Sequence, residues 1–137
     1  MSSLNATLQL LLPIRRQRLR RAESQLREET ETLAQQETAL DVLWQEREAQ
    51  QEHYRQQQEE FRQHQQEQAQ SLDSLQQQRE RTQRQIGRLR QQQQQYEDGE
   101  ARCQQHRRRV ADKRALLRQR QKAVEKLEFL LTLNQEP

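Results

Sequence analysis

A single cysteine, Cys103, rules out any disulfide within the chain, and two glycines and two prolines leave no Gly-rich loop that could cradle a phosphate. Aromatic residues are 4% of the chain and charged ones 33%, too few and too many for a globular enzyme folded around a buried apolar pocket. No segment approaches the roughly 20 apolar residues that a membrane-crossing helix needs. His53 and His64 are eleven residues apart, which on one helix separates them by about 16 Å, and His106 stands alone, so no metal-ligand spacing is present. Nucleophile elbows are missing as well. No catalytic residue, metal or cofactor is therefore expected, and Cys103 reads as a small apolar filler.

What is abundant is helix-forming and solvated. Ala, Glu, Lys, Leu and Arg make up 70 of the 137 residues and Gln another 31, the composition of long exposed helices. The apolar minority is placed in sevens: Leu12, Leu19, Leu26, Leu33, Leu40, Arg47, Tyr54, Phe61, Gln68, Leu75, Thr82, Leu89, Tyr96, Cys103, Val110, Leu117, Val124 and Leu131. Fifteen of these eighteen positions are apolar, which predicts a coiled-coil seam along most of the chain. The second line, three or four residues further on, is mostly polar, with Glu29, Gln36, Gln50, Gln57, His64, Gln78 and Gln92 against Ala22, Leu43, Trp44, Leu72, Ile86 and Leu127. So thin a seam associates modestly and leaves room for partial disorder of the isolated chain.

Ser71, Asp73 and Ser74 form a close cluster of short polar side chains near the middle, suited to a turn, and Ser74 with Gln77 matches a capping box. The fold expected is all-α, a long antiparallel two-helix coiled-coil hairpin in one domain. Its parts are an apolar N-terminal piece over 1–12, helix over 13–69, turn over 70–74 and helix over 75–133. Pro13 sets the first boundary, because proline suits a helix's first turn and disfavours helix before it. Folding about Ser71 and Leu72 pairs position i with about 143 minus i, in a register open to a slip of three or four residues. It brings Arg47 to Tyr96, with an Arg reaching into water as the equal alternative, and Trp44 to Gly99, where the missing side chain makes room for the indole; a turn at Glu97-Asp98-Gly99 is the alternative.

Charge follows the same fold. From Ala22 to Ala101 the chain carries 17 acidic and 9 basic side chains, whereas Arg102 to Lys126 carries 10 basic and 2 acidic. Ile14 to Arg21 adds five arginines without an acid, so both basic stretches meet at the end bearing the termini. There Phe129, Leu130 and Leu133 exceed a single stripe, so they bind a partner or are covered by a folded-back Leu4–Leu11.

The opening Leu12-Pro13-Ile14-Arg15-Arg16-Gln17-Arg18-Leu19-Arg20-Arg21-Ala22-Glu23, a basic helix leading into regular heptads, resembles that of the HrpO/YscO/FliJ family of bacterial type III secretion and flagellar export. The likeness spans the whole chain and is one of architecture, and the Gln richness fits HrpO best. It implies a non-enzymatic stalk that couples the export ATPase ring to the export gate and engages secretion chaperones and the ATPase's stator-like regulator. The location implied is the bacterial cytoplasm, peripheral to the inner-membrane export apparatus. On this resemblance the ATPase-facing residues are Leu12, Arg15, Arg16, Arg18, Arg20, Arg21, Arg118, Arg120, Lys122, Phe129, Leu130 and Leu131. Those at the turn are Phe61, Leu72, Asp73 and Leu75. Two rivals stand beside it. One is a generic structural coiled-coil dimer or scaffold that self-associates through the seam. The other is a basic nucleic-acid-binding helical protein, against which count the net charge of only +3 and the lack of stacking aromatics beside Arg107-Arg108-Arg109.

Overall fold

The computed structural model describes residues 2–67 and 71–135, which form two α-helices packed against each other, α1 (Ser2–Glu67) and α2 (Leu72–Gln135). Contacts fall along α2 as they rise along α1: Arg15 reaches Ala123, Gln25 reaches Lys113, and Glu29 faces His106. The helices are therefore antiparallel, and the chain is the all-α helical hairpin that its period of seven demands. Contacts divide it into two units, one of residues 1–35 with 104–137 and one of residues 36–103.

The chain reverses earlier than the polar cluster indicates. Residues 68–70, where the first helix was to end and the turn to begin, lie outside the described residues. Ser71 is non-helical, and α2 starts at Leu72 instead of Leu75. The cap is Ser71: its hydroxyl accepts the Ser74 backbone N–H at 3.1 Å, and its carbonyl accepts that of Leu75 at 3.1 Å. Ser74 lies inside the helix, so no capping box opens there. Ser71 wins because it places Asp73 in the first turn, where a carboxylate meets the positive helix end; a cap at Ser74 would put Leu75, Gln76 and Gln77 there, none of them acidic.

In the unit of residues 1–35 and 104–137, α1 runs unbroken through Pro13, so the N-terminal piece is neither separate nor folded back. An interior proline costs about 3 kcal/mol. Leu8, Leu11 and Leu12 are half-buried on the continuing seam, and the packing of several side chains, each worth about 1.5–3 kcal/mol when fully buried, offsets that loss. Ala22, Val110, Val124, Leu127 and Leu131 are buried here, all on one of the two seam lines.

In the unit of residues 36–103, the earlier reversal shifts the register by about a helical turn. Gly99 is buried against Leu40 and Leu43, where an added Cβ would meet their Cδ1 atoms at 3.2 and 3.3 Å. Trp44 instead meets Tyr96, with ring centroids 5.1 Å apart and tilted by 55°. Helix continues through Glu97-Asp98-Gly99, and the Gln91–Gln95 run is helical too, tied by Gln93 to Glu97 and Gln94 to Asp98 at 3.0 Å. Cys103 is fully buried with a free thiol. The half-buried second line is polar, with Gln57, Gln78, Gln85 and Gln92.

Cysteines at Gln25 and Lys113, whose side chains are 3.3 Å apart, should cross-link within one chain in a Cys103→Ala background. A product that is only intermolecular would contradict the hairpin. At Gly99, alanine should leave stability within about 1 kcal/mol, helix propensity balancing the crowding of two flexible leucines. Leucine there should cost about 1–3 kcal/mol in chemical denaturation followed by helical circular dichroism.

Candidate functional site

Charge separates with the units. Residues 1–35 and 104–137 hold 15 Lys and Arg against 8 Asp and Glu, a net of +7; residues 36–103 hold 9 against 13, a net of −4. The basic unit is the stronger candidate for binding, because it joins its charge to the larger share of the exposed apolar side chains among the described residues, with Leu10 at 73%, Phe129 at 62% and Leu4 at 57%.

The sequence-derived residues of that unit take different roles. Leu12 is half-buried and Leu131 buried, so both pack α1 on α2 and offer little to a partner. Arg16 donates to Glu128 Oε1 at 3.1 Å, an exposed ion pair worth little on its own. Arg18, Arg20, Arg21, Arg118 and Lys122 are exposed, as are Phe129 and Leu130. Arg15 and Arg120 are half-buried, and with Arg18, Ala123 and Lys126 they line a depression of about 330 Å³. Arg15 Nη1 donates to the Ala123 carbonyl at 3.2 Å. Lys126 and Ile14 were not singled out from the sequence. Their phase in the heptad was the available signal, since both stand one step outside the flank that runs beside the seam.

Deeper in the same unit, His106 Nδ1 lies 3.8 Å from Glu29 Oε2, too far for a hydrogen bond, and forms an ion pair only when the imidazole is protonated. Lys113 Nζ donates to Gln25 Oε1 at 3.3 Å. These are second-line seam positions, so three of the unit's charged groups occupy places that a stronger coiled coil gives to leucine.

At the turn, Phe61 is half-buried in an open cleft of about 880 Å³. α1 adds Gln57, Glu60 and His64 to its lining, and α2 adds Arg81, Arg84 and Arg88 among polar neighbours. Leu72 is 72% and Leu75 39% exposed, and Asp73 is exposed in the first turn of α2. The cleft is open because long polar side chains keep their heads in water and cannot fill the space that a leucine would.

Between these regions in sequence, the seam's break at Arg47 is filled by stacking. The Arg47 guanidinium carbon is 4.7 Å from the Trp44 ring centroid and 6.0 Å from that of Tyr96. The expected approach to Tyr96 is present, and the closer ring is Trp44. Nearby, Arg55 grips Glu52 through Nε at 3.2 Å and Nη2 at 2.7 Å, and this hydrogen bonding holds the Glu52 carboxyl below its ordinary range. Among the described residues no cluster of His, Cys, Asp and Glu could hold a metal ion, and no helix is long and apolar enough to cross a membrane.

Replacing Arg47 by alanine should cost about 0.5–2 kcal/mol and alter Trp44 fluorescence, because the cation leaves the ring face. Unchanged stability together with an unchanged emission spectrum would remove Arg47 from the seam's supports.

No family model matches the chain, and no curated protein or solved structure matches it either.

Proposed function

We propose that the protein is a non-enzymatic stalk of a bacterial type III secretion or flagellar export system, similar to the HrpO/YscO/FliJ family. In this reading it couples the export ATPase ring to the export gate from the cytoplasmic face of the inner membrane. The unit bearing both termini enters the ring, and the unit bearing the turn faces the gate through Phe61, Leu72, Asp73 and Leu75. Secretion chaperones and the stator-like regulator are further partners on the same resemblance.

The observation that carries this reading is the joint presence, in one unit of a helical hairpin, of a net charge of +7 and exposed Leu4, Leu10 and Phe129. Acidic groups on a ring lumen would steer such a unit into place, and apolar contacts would retain it. A ring lumen asks for no catalytic group on the stalk.

Reversal of Arg20, Arg21 and Lys122 to Glu should slow association with a type III export ATPase and weaken stimulation of its ATP hydrolysis, most at low salt where charge is least screened. Reversal of Glu59 and Glu60 to Lys should leave ATPase binding intact and impair binding to the export gate. Equal ATPase binding by both variants, or its loss in the turn variant alone, would refute this orientation.

A further inference from the structure

A few charged side chains of the basic unit meet a polar group across the helices. Arg16 has Glu128, His106 has Glu29, and Lys113 has Gln25. The depression lined by Arg15 and Arg18 on α1 and Arg120 and Lys126 on α2 gathers four cations in one place. Among the described residues none of these four cations has a carboxylate within 4 Å, and their one hydrogen bond is that of Arg15 to the Ala123 carbonyl. Arg15 and Arg120 sit on the second seam line, where they are half-buried and part of their hydration is lost without a compensating negative charge. An anion arriving from outside supplies it.

The heptad phase shows what lies beside them. Arg18, Ala123 and Leu130 share the flank next to the seam, and Ile14, Lys126 and Leu133 stand one step outward on that flank, whereas the Arg16–Glu128 pair lies on the opposite one. Ile14 is 46%, Leu130 38% and Leu133 50% exposed. One flank of the unit therefore offers unpaired cations next to uncovered apolar side chains.

We infer that this flank docks an acidic amphipathic helix of another protein, laid along α1 and α2 as a third helix. Its Asp or Glu side chains meet Arg15, Arg18, Arg120 and Lys126, and its apolar edge covers Ile14, Leu130 and Leu133. A phosphate or a nucleic-acid backbone would answer the cations and leave the apolar side chains in water. A second copy in the same pose would bring cations against cations, at a cost that like charges impose on any symmetric contact. The acidic helix is the occupant that uses every feature of the flank.

The inference rests on the protein-binding reading above and is independent of the partner's identity. The probe is a fluorescent synthetic helix of about 20 residues with a Leu stripe at i, i+3, i+4 and i+7 flanked by Glu, and its twin with Lys in place of Glu, titrated with the full chain at about 0.1 M salt. The Glu helix should bind at least about tenfold more tightly than the twin. Arg18→Glu with Lys126→Glu, both at exposed positions that folding does not need, should weaken it by about tenfold or more. Arg27→Glu with Arg108→Glu, the same charge change elsewhere on the unit, should weaken it by less than about threefold. Ile14→Ala with Leu130→Ala should also weaken it. The inference is overturned if the two helices bind alike, or if both reversed pairs lose equally. It is also overturned if millimolar pyrophosphate displaces the Glu helix while the Ile14 and Leu130 changes have no effect, or if the probe binds only to a dimer of the chain. A chain that binds the Glu helix but not the export ATPase rejects the ATPase assignment alone. A chain that binds the ATPase undiminished with Arg18 and Lys126 reversed rejects this flank alone.

Discussion

Apolar burial in this hairpin depends on one residue in seven, and nearly everything else about the molecule follows from how little the second line adds. Ala22 and Leu127 are buried on that line, but Arg15, Glu29, His106, Lys113 and Arg120 share it, and over residues 36–103 it is largely glutamine. A polar group in a seam must find a partner or keep water, since leaving it buried and unbonded costs about 1–3 kcal/mol. Some do find one, as Lys113 does in Gln25. Others do not: Asn5 Oδ1, Gln92 Oε1 and His106 Nδ1 are buried without a hydrogen bond. What such positions provide is register, because a slipped alignment would lose the few pairs that exist.

Burial is also unevenly shared. Among the described residues, Ala22, Val110, Val124, Leu127 and Leu131 are buried in the unit that holds the termini, whereas in the other unit only Gly99 and Cys103 are. Toward the turn the helices face each other through Gln57, Gln78 and Thr82, the last accepting a 3.4 Å bond from Gln58. Local opening needs the least free energy where few apolar contacts must break. The turn-bearing unit is thus the part of the molecule that opens most readily, and the stack of Trp44, Arg47 and Tyr96 is its principal aromatic anchor.

The hairpin, its antiparallel sense, the burial of Cys103 and the approach of Arg47 to Tyr96 were legible because each follows from counting in sevens. Three features were not, for separate physical reasons. Pro13 marks a helix start by local preference, but Leu8, Leu11 and Leu12 lie on a seam that continues past it, so packing overrode the local signal. Ser71 and Ser74 are equivalent as isolated caps, and the choice rests on which of them places an acid in the first turn. The partner of Gly99 follows from the position of the reversal, and an error of about two residues there moves every cross-helix contact by about four. Tyr96, not Gly99, therefore meets Trp44. In the candidate site, the runs of arginine were evident as composition. That Arg15 and Arg120 are half-buried around one depression with Lys126 required the two helices in register.

The unpaired charge bears on why exposed apolar side chains are tolerable in the basic unit. Leu10, Ile14, Phe129 and Leu133 uncovered on a neutral hairpin would favour pairing with another copy, since hydrophobic association has no direction of its own. A net of +7 confined to one unit opposes any contact that brings two such units together, over a range of about 10 Å at 0.1 M salt. The same field attracts an acidic surface from that distance. In the docking proposed above, electrostatics would select the partner before the apolar side chains hold it, and the selection would weaken as salt shortens the range. A hairpin built on a thin seam can in this way keep an apolar flank open without closing it on itself.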